Sequence, residues 1–268
     1  MTLFLATVLF YMMIGGVAGF FAGLFGIGGG IILVPCFAYS LAWLYPDATH
    51  IMQVAIGTSL STILVTGVSS LRAHAARQNI RRDILARLAP GIVLGSLGSA
   101  WIADQMDSAS IKIFFACMIF VLAVLLATGL ERFRSPAATT FPGAGWTTLS
   151  GGIIGFLSGL LGIGGATLSI PYMSFYRTEM RQAVGTASAL GLFIAIPAVA
   201  GFILTGWSEQ TGVPYTLGYI YGPGALAVVS VSFFTAIAGA RTAHQFDQQK
   251  LRRIFAGLMM VVAFSMLW

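Results

Sequence analysis

Polar and apolar residues along this chain fall into long blocks. Stretches such as Ile111–Leu130 and Leu251–Trp268 are apolar almost throughout. Membrane β-barrels alternate polar and apolar residues within strands of about ten residues. Long continuous runs instead predict helices, whose backbone groups are satisfied within the segment. Ten segments can be read, at approximately 2–23, 30–45, 51–71, 86–103, 111–130, 147–160, 166–177, 183–206, 218–240 and 251–267. Residues 1–24 lack a basic start and run directly into a glycine-rich stretch, so they read as the first segment rather than as a cleaved leader.

Composition turns this pattern into a fold class. Of 268 residues, 57% are hydrophobic and 8% are charged. A soluble domain carries about 25% charged residues, so this chain cannot cover a soluble surface. It reads as an all-α polytopic membrane protein with no separate soluble domain. The charges it has are sorted by loop. Arg72, Arg77, Arg81, Arg82, Arg87, Arg132, Arg134, Arg177, Arg181, Arg241, Lys250, Arg252 and Arg253 all fall on one set of alternating loops, and only Lys112 falls on the other. Asp47, Asp104, Asp107 and Glu209 lie on that opposite set. The Lys/Arg bias predicts that the basic loops are cytoplasmic, which puts both termini outside the cytoplasmic (inner) membrane. The net charge of +6 is thus a topological signal; no basic, aromatic-interleaved stretch suggests nucleic acid. Cys36 and Cys117 sit inside apolar runs, without disulfide or metal-ligand spacing. No cofactor or metal site is expected.

The strongest internal pattern is a duplication. Gly15, Gly19, Gly23, Gly26, Gly28, Gly29 and Pro35 recur as Gly151, Gly155, Gly159, Gly162, Gly164, Gly165 and Pro171. In letters, GLFGIGGGIILVP is answered by GLLGIGGATLSIP, and AIGTS at 55–59 by AVGTA at 183–187. The chain divides into a first repeat at 1–134, a cytoplasmic linker at 135–146 and a second repeat at 147–268. Each repeat holds five elements, an odd number, so the second copy is expected upside down relative to the first. Inverted repeats around a midplane site characterise secondary transporters.

The glycines read in two ways. Gly15/Gly19/Gly23 and Gly151/Gly155/Gly159 line single helix faces, where small residues let backbones approach closely. The GIGGG and GIGG clusters break helices, since each glycine costs about 1 kcal/mol in a helix interior. Segments 147–160 and 166–177 are too short to cross a core of about 30 Å, and predict the arms of a hairpin turning within the membrane. At such turns glycine exposes the N–H groups and positive dipole end of the following helix, an arrangement suited to an anion. A tight structural corner is the competing reading. Thr58 and Ser59, with Thr186 in the matched position, are candidate hydroxyl donors, although such hydroxyls often bond the i−4 carbonyl. Gln53 and Gln182 are secondary candidates. No carboxylate or lysine falls confidently at membrane depth; Asp47, His50 and His74 lie near segment ends. Walker, G-x-G-x-x-G and nucleophile-elbow patterns are all absent, so an enzyme is not expected.

At these paired motifs the chain resembles the TauE/SafE family of membrane transporters, often called sulfite exporters, over essentially its whole length. The resemblance implies a substrate among sulfite and small organosulfonates such as sulfoacetate, moved across the cytoplasmic membrane. It places the family's glycine turns on Gly26, Gly28, Gly29 and Gly30, and on Gly162, Gly164 and Gly165, with Ala166 in place of a further glycine. Its short A-x-G-T motif falls on Thr58 and Thr186, and Ala187 replaces Ser59 in the second copy. The resulting expectation is a secondary transporter exporting such an anion by alternating access, with the lipid bilayer and a small sulfur-containing anion as its partners. An anion channel, or a transporter of another small anion, remains the alternative, and a non-transporting scaffold is a third reading.

Overall fold

The computed structural model describes residues 2–25, 29–75, 79–128, 141–243 and 248–268. Among these it contains ten helices: α1 (Thr2–Phe25), α2 (Gly30–Leu44), α3 (Ile51–Ala75), α4 (Arg82–Gln105), α5 (Ser108–Thr128), α6 (Ala144–Leu161), α7 (Ala166–Phe175), α8 (Met180–Thr205), α9 (Gly222–Ala243) and α10 (Gln248–Leu267). Seven are long and apolar enough to cross a membrane; α2 and the apolar part of α10 are shorter, and α7 has only 10 residues. Large apolar side chains such as Leu94, Trp101, Ile153, Leu204 and Phe234 point outward, as a lipid-facing surface requires.

Two boundaries differ from the sequence reading. Helix α6 begins at Ala144 and spans 18 residues, which at 1.5 Å per residue is about 27 Å. The sequence reading had assigned Ala144, Gly145 and Trp146 to the linker and so made this arm too short to cross. Gly143 is the N-cap, and the Thr147 amide reaches its carbonyl at 3.1 Å. The second difference precedes α9. The apolar stretch from 216 to 221 forms a two-stranded hairpin, β1 (Thr216–Leu217) against β2 (Ile220–Tyr221). Gly218 carries the turn at φ +57°, and the helix starts only at Gly222.

Packing follows a definite scheme. Helix α1 lies along α9, α6 along α4, α5 along α10 and α3 along α8; α2 packs on α3 and α7 on α8. The glycine faces make the first two of these seams. A methyl built on Gly15 would stand 2.6 Å from the Val228 carbonyl oxygen, and one on Gly19 would stand 2.6 Å from Ser232 Cα. In the other seam a methyl on Gly155 would stand 2.7 Å from Ile92 Cα, and Gly91 and Gly95 of α4 lie as tightly against Thr148 and Gly152. Backbone meets backbone at each step, the close approach that small residues allow in lipid. At the centre, α3 and α8 carry a continuous buried stripe that includes Val54, Ile56, Thr58, Ala187, Leu190 and Ile194.

Gly155→Ala is therefore expected to lower the stability of the detergent-solubilised protein by about 1–3 kcal/mol through overpacking. Gly98→Ala, where a methyl meets nothing within 4 Å, should be neutral or stabilise by up to about 1 kcal/mol. Equal melting temperatures for the two variants would contradict the glycine-seam account.

Candidate functional site

The second glycine turn is a defined helix stop. Gly162 takes the left-handed conformation at φ +64°. Its amide bonds the Gly159 carbonyl at 3.2 Å and the Ile163 amide bonds the Ser158 carbonyl at 3.1 Å, the paired bonds of a Schellman cap. Gly164 and Gly165 follow, both buried, and α7 begins immediately, with Gly165 as its N-cap and no side-chain hydrogen bond capping the first turn. The first copy of the turn meets this one: Gly30, at the start of α2, abuts the Gly162 carbonyl, and a methyl there would stand 2.9 Å from Ile163 Cα. Gly29 lies against the Ala18 carbonyl. Gly26 and Gly28 lie outside the described residues. Ser59 Oγ donates to the Gly162 carbonyl at 2.9 Å and ties α3 to the turn.

The A-x-G-T motifs have another set of partners. Thr58 Oγ1 donates to the Val54 carbonyl at 2.6 Å and accepts the Tyr221 amide at 2.9 Å. Beside it, a methyl on Gly57 would stand 2.5 Å from the Tyr219 carbonyl oxygen. In the second copy Thr186 Oγ1 accepts the Arg81 amide at 3.0 Å, and Gly185 lies against the carbonyl of Asn79. Each motif thus grips a three-residue segment, 219–221 or 79–81, just before a long helix. The glycine admits the first residue's carbonyl and the threonine takes the third residue's amide. The hydroxyl hydrogen of Thr58 is already committed, so donating it to an anion would mean releasing the Val54 carbonyl.

Gln53 is similarly engaged. Its Nε2 donates to the Ala103 and Met106 carbonyls at 3.1 and 2.7 Å, and its Oε1 accepts from Ser108 Oγ at 3.1 Å. It closes the C-terminal end of α4, where carbonyls lack helical partners. Gln182 is half-buried in the first turn of α8. Of the sequence candidates, then, the turn glycines and Ser59 come together, whereas Thr58, Thr186 and Gln53 hold neighbouring chain ends in place.

Three buried hydroxyls flanking the turn were not among the sequence candidates. Ser158 and Ser169 are fully buried and Thr167 is 8% exposed, yet none of the three hydroxyls has a hydrogen-bond partner among the described residues. Their positions in the first copy are Ala22, Ile31 and Leu33. A search for hydroxyls shared by both repeats passes over them; a comparison of GGATLSIP with GGGIILVP for differences would have found Thr167 and Ser169. Thr167 also lines a narrow apolar groove with Leu122, Leu126, Phe255 and Met259 of α5 and α10. Among the described residues, no cluster of three or more His, Cys, Asp or Glu side chains could hold a metal ion.

Comparison with known proteins places this architecture. Residues 11–266 match the family described as "Sulfite exporter TauE/SafE". A "Probable membrane transporter protein" of Haemophilus influenzae is 32% identical over 97% of both chains. One from Methanocaldococcus jannaschii is 26% identical over 96% of this chain and 94% of its own. YunE of Bacillus subtilis, another "Probable membrane transporter protein", is 32% identical over 60% of this chain and 65% of its own. No solved structure matches the chain significantly. With its family match covering nearly the whole length and its apolar helices suited to crossing a bilayer, the chain belongs to the TauE/SafE family of membrane transporters.

Proposed function

We propose that the protein is a secondary transporter of sulfite or a small organosulfonate such as sulfoacetate, working by alternating access in the cytoplasmic membrane. The observation that carries this reading is the α6–α7 turn, where a helix N-terminus without a side-chain cap is flanked by three buried hydroxyls lacking partners. Unpaired buried hydroxyls cost free energy, and a sulfur oxyanion at the turn would accept from one of them. The helix dipole favours its charge. Glycine lets neighbouring helices close in on the turn: a methyl on Gly162 would stand 2.8 Å from Val34 Cγ2, one on Gly165 would stand 2.8 Å from Ile194 Cδ1, and Gly30 of the first turn abuts the Gly162 carbonyl. The apolar groove beside Thr167 suits a short carbon body attached to the charged group.

The inverted-repeat reading has independent support. If α1–α5 and α6–α10 are exchanged, the packing of α1 on α9 becomes that of α6 on α4, and α2 on α3 becomes α7 on α8; α3 on α8 and α5 on α10 map onto themselves. The clamp on 219–221 becomes the clamp on 79–81. Five elements per half invert the second copy, as alternating access around a central site requires. The same reading puts both termini outside and the arginine-rich loops in the cytoplasm.

Three tests follow. Sulfite or an organosulfonate should stabilise the purified protein, by about 2.7 kcal/mol at 100 times its Kd, and should drive counterflow in proteoliposomes. Ser169→Ala and Thr167→Val should each raise Kd by about tenfold or more, since hydrogen bonds to charged groups are worth about 1.5–3 kcal/mol. Wild-type affinity in both variants would remove the site, and linear flux with large unitary currents would point to a channel. For the repeat, Thr58→Val and Thr186→Val should each cost about 1–3 kcal/mol, because each leaves a backbone amide unpaired, and Thr→Ser should restore both. A cost at one position alone would mean that the clamps are not equivalent. For orientation, a cysteine placed at 104–110 should react with an impermeant reagent from outside the cell. Protection there would reverse the topology.

A further inference from the structure

A narrow groove opens beside the start of α7, and three helices build it from residues spaced four apart. Thr167 and Pro171 come from α7, Leu122 and Leu126 from α5, and Phe255 and Met259 from α10. Residues at this spacing share one helix face, so each helix turns a single face to the groove. It offers about 50 Å³ to water-sized groups, room for about three to five of them. Phe255 and Met259 are buried, and Leu126 is half-buried. Among the described residues no charged side chain lines the groove, and Thr167 brings the single polar one. Thr167 is 8% exposed, and its hydroxyl has no hydrogen-bond partner among the described residues. It stands second in α7, directly after the N-cap Gly165 and Ala166, where backbone amides lack helical partners. The groove therefore has a polar end at Thr167 and apolar walls that continue to Pro171, one turn further along α7. Ile31 takes the place of Thr167 in the first repeat, so the hydroxyl that ends the groove exists in one copy only.

We propose that this groove is a specificity subsite that holds the carbon body of the transported sulfonate, and that it selects short sulfonates whose body carries no charge. This inference deepens the anion site proposed above and rests on it. The sulfonate oxygens accept from Thr167 and the start of α7, and the carbons lie between Leu122, Leu126 and Met259. Each carbon removed from water there strengthens binding about fourfold. The gain ends when the groove is full, at a body of about three to five carbons. A second charge on the body has the opposite effect. The ammonium of taurine or the carboxylate of sulfoacetate would be buried among apolar side chains, and a buried charge without a partner is costly. Taurine and propanesulfonate have bodies of the same length, so the pair compares charge at constant size. Sulfoacetate accordingly ranks below propanesulfonate as a ligand. Sulfite has no carbon body, occupies only the polar end and is indifferent to the groove.

The experiment measures Kd by calorimetry on the full-length, detergent-purified protein. The probes are sulfite, the straight-chain sulfonates from methanesulfonate to pentanesulfonate, taurine and sulfoacetate. In the wild type, affinity should rise about fourfold per carbon as far as propanesulfonate and level off by pentanesulfonate. Taurine and sulfoacetate should bind about tenfold or more weakly than propanesulfonate. Leu126→Phe, at a half-buried position, should fill the groove and weaken propanesulfonate about tenfold, with sulfite unchanged. Met259→Ala should open the groove, so that pentanesulfonate gains about fourfold or more over propanesulfonate. Unchanged sulfite affinity shows that each variant is folded, and the wild-type series decides the matter even where a variant is not. Thr167→Val, at the polar end, should weaken sulfite and propanesulfonate alike. A flat chain-length series, or sulfoacetate bound as tightly as propanesulfonate, would overturn the subsite and leave the anion site standing. So would an unaltered chain-length preference in both groove variants. Binding of none of these anions by the wild type would overturn the anion site itself, and the subsite with it.

Discussion

Everything in this fold depends on backbone approaching backbone. In hydrocarbon, helices gain little from burying apolar side chains against one another, because lipid tails are equally apolar. Packing must come from close contact, and the two seams of α1 on α9 and α6 on α4 obtain it from glycines repeated every four residues. These seams bring α4 and α9 alongside the helices that lead into the glycine turns. The segments that precede α4 and α9 then fall beside α3 and α8, where Gly57 and Gly185 are small enough to admit them.

A second constraint is that irregular backbone at membrane depth must be satisfied by protein. The backbone of the α6–α7 turn is held by two Schellman bonds and by the Ser59 hydroxyl on the Gly162 carbonyl. What the turn leaves unsatisfied is more informative. The Gly162 and Ile163 amides and the Gly162 carbonyl are paired, while the hydroxyls of Ser158, Thr167 and Ser169 have no partner among the described residues.

Much of this was legible in the sequence, for reasons that can be named. Long apolar runs located the seven helices able to cross a membrane, whose length is set by the span to be crossed; α2, α7 and the apolar part of α10 are shorter. The four-residue glycine spacing stated its own purpose, because a helix face is a fixed geometric period. The hairpin at 216–221 was not legible, because TLGYIY is as apolar as the helix that follows, and only the left-handed Gly218 separates them. The start of α6 was missed because Gly143 and Gly145 look like linker residues. Thr58 and Thr186 stood out through their matched positions, but identical placement in two repeats is equally the mark of a shared structural joint. Their hydroxyls face chain segments distant in sequence, and no local pattern reports such a partner.

The division between symmetric and asymmetric residues then carries the remaining argument. Features present in both halves, the glycine seams and the A-x-G-T clamps, build the scaffold. On the proposed function, exchange of the halves by rocking needs two arrangements nearly equal in energy, which duplicated joints favour. Features present once break that balance. Ser158, Thr167 and Ser169 correspond in sequence to Ala22, Ile31 and Leu33, and the clamped Tyr219 corresponds to Asn79. On the proposed function, selectivity arises where the two copies differ, and in this chain those positions carry the hydroxyls of Ser158, Thr167 and Ser169, which have no partner among the described residues.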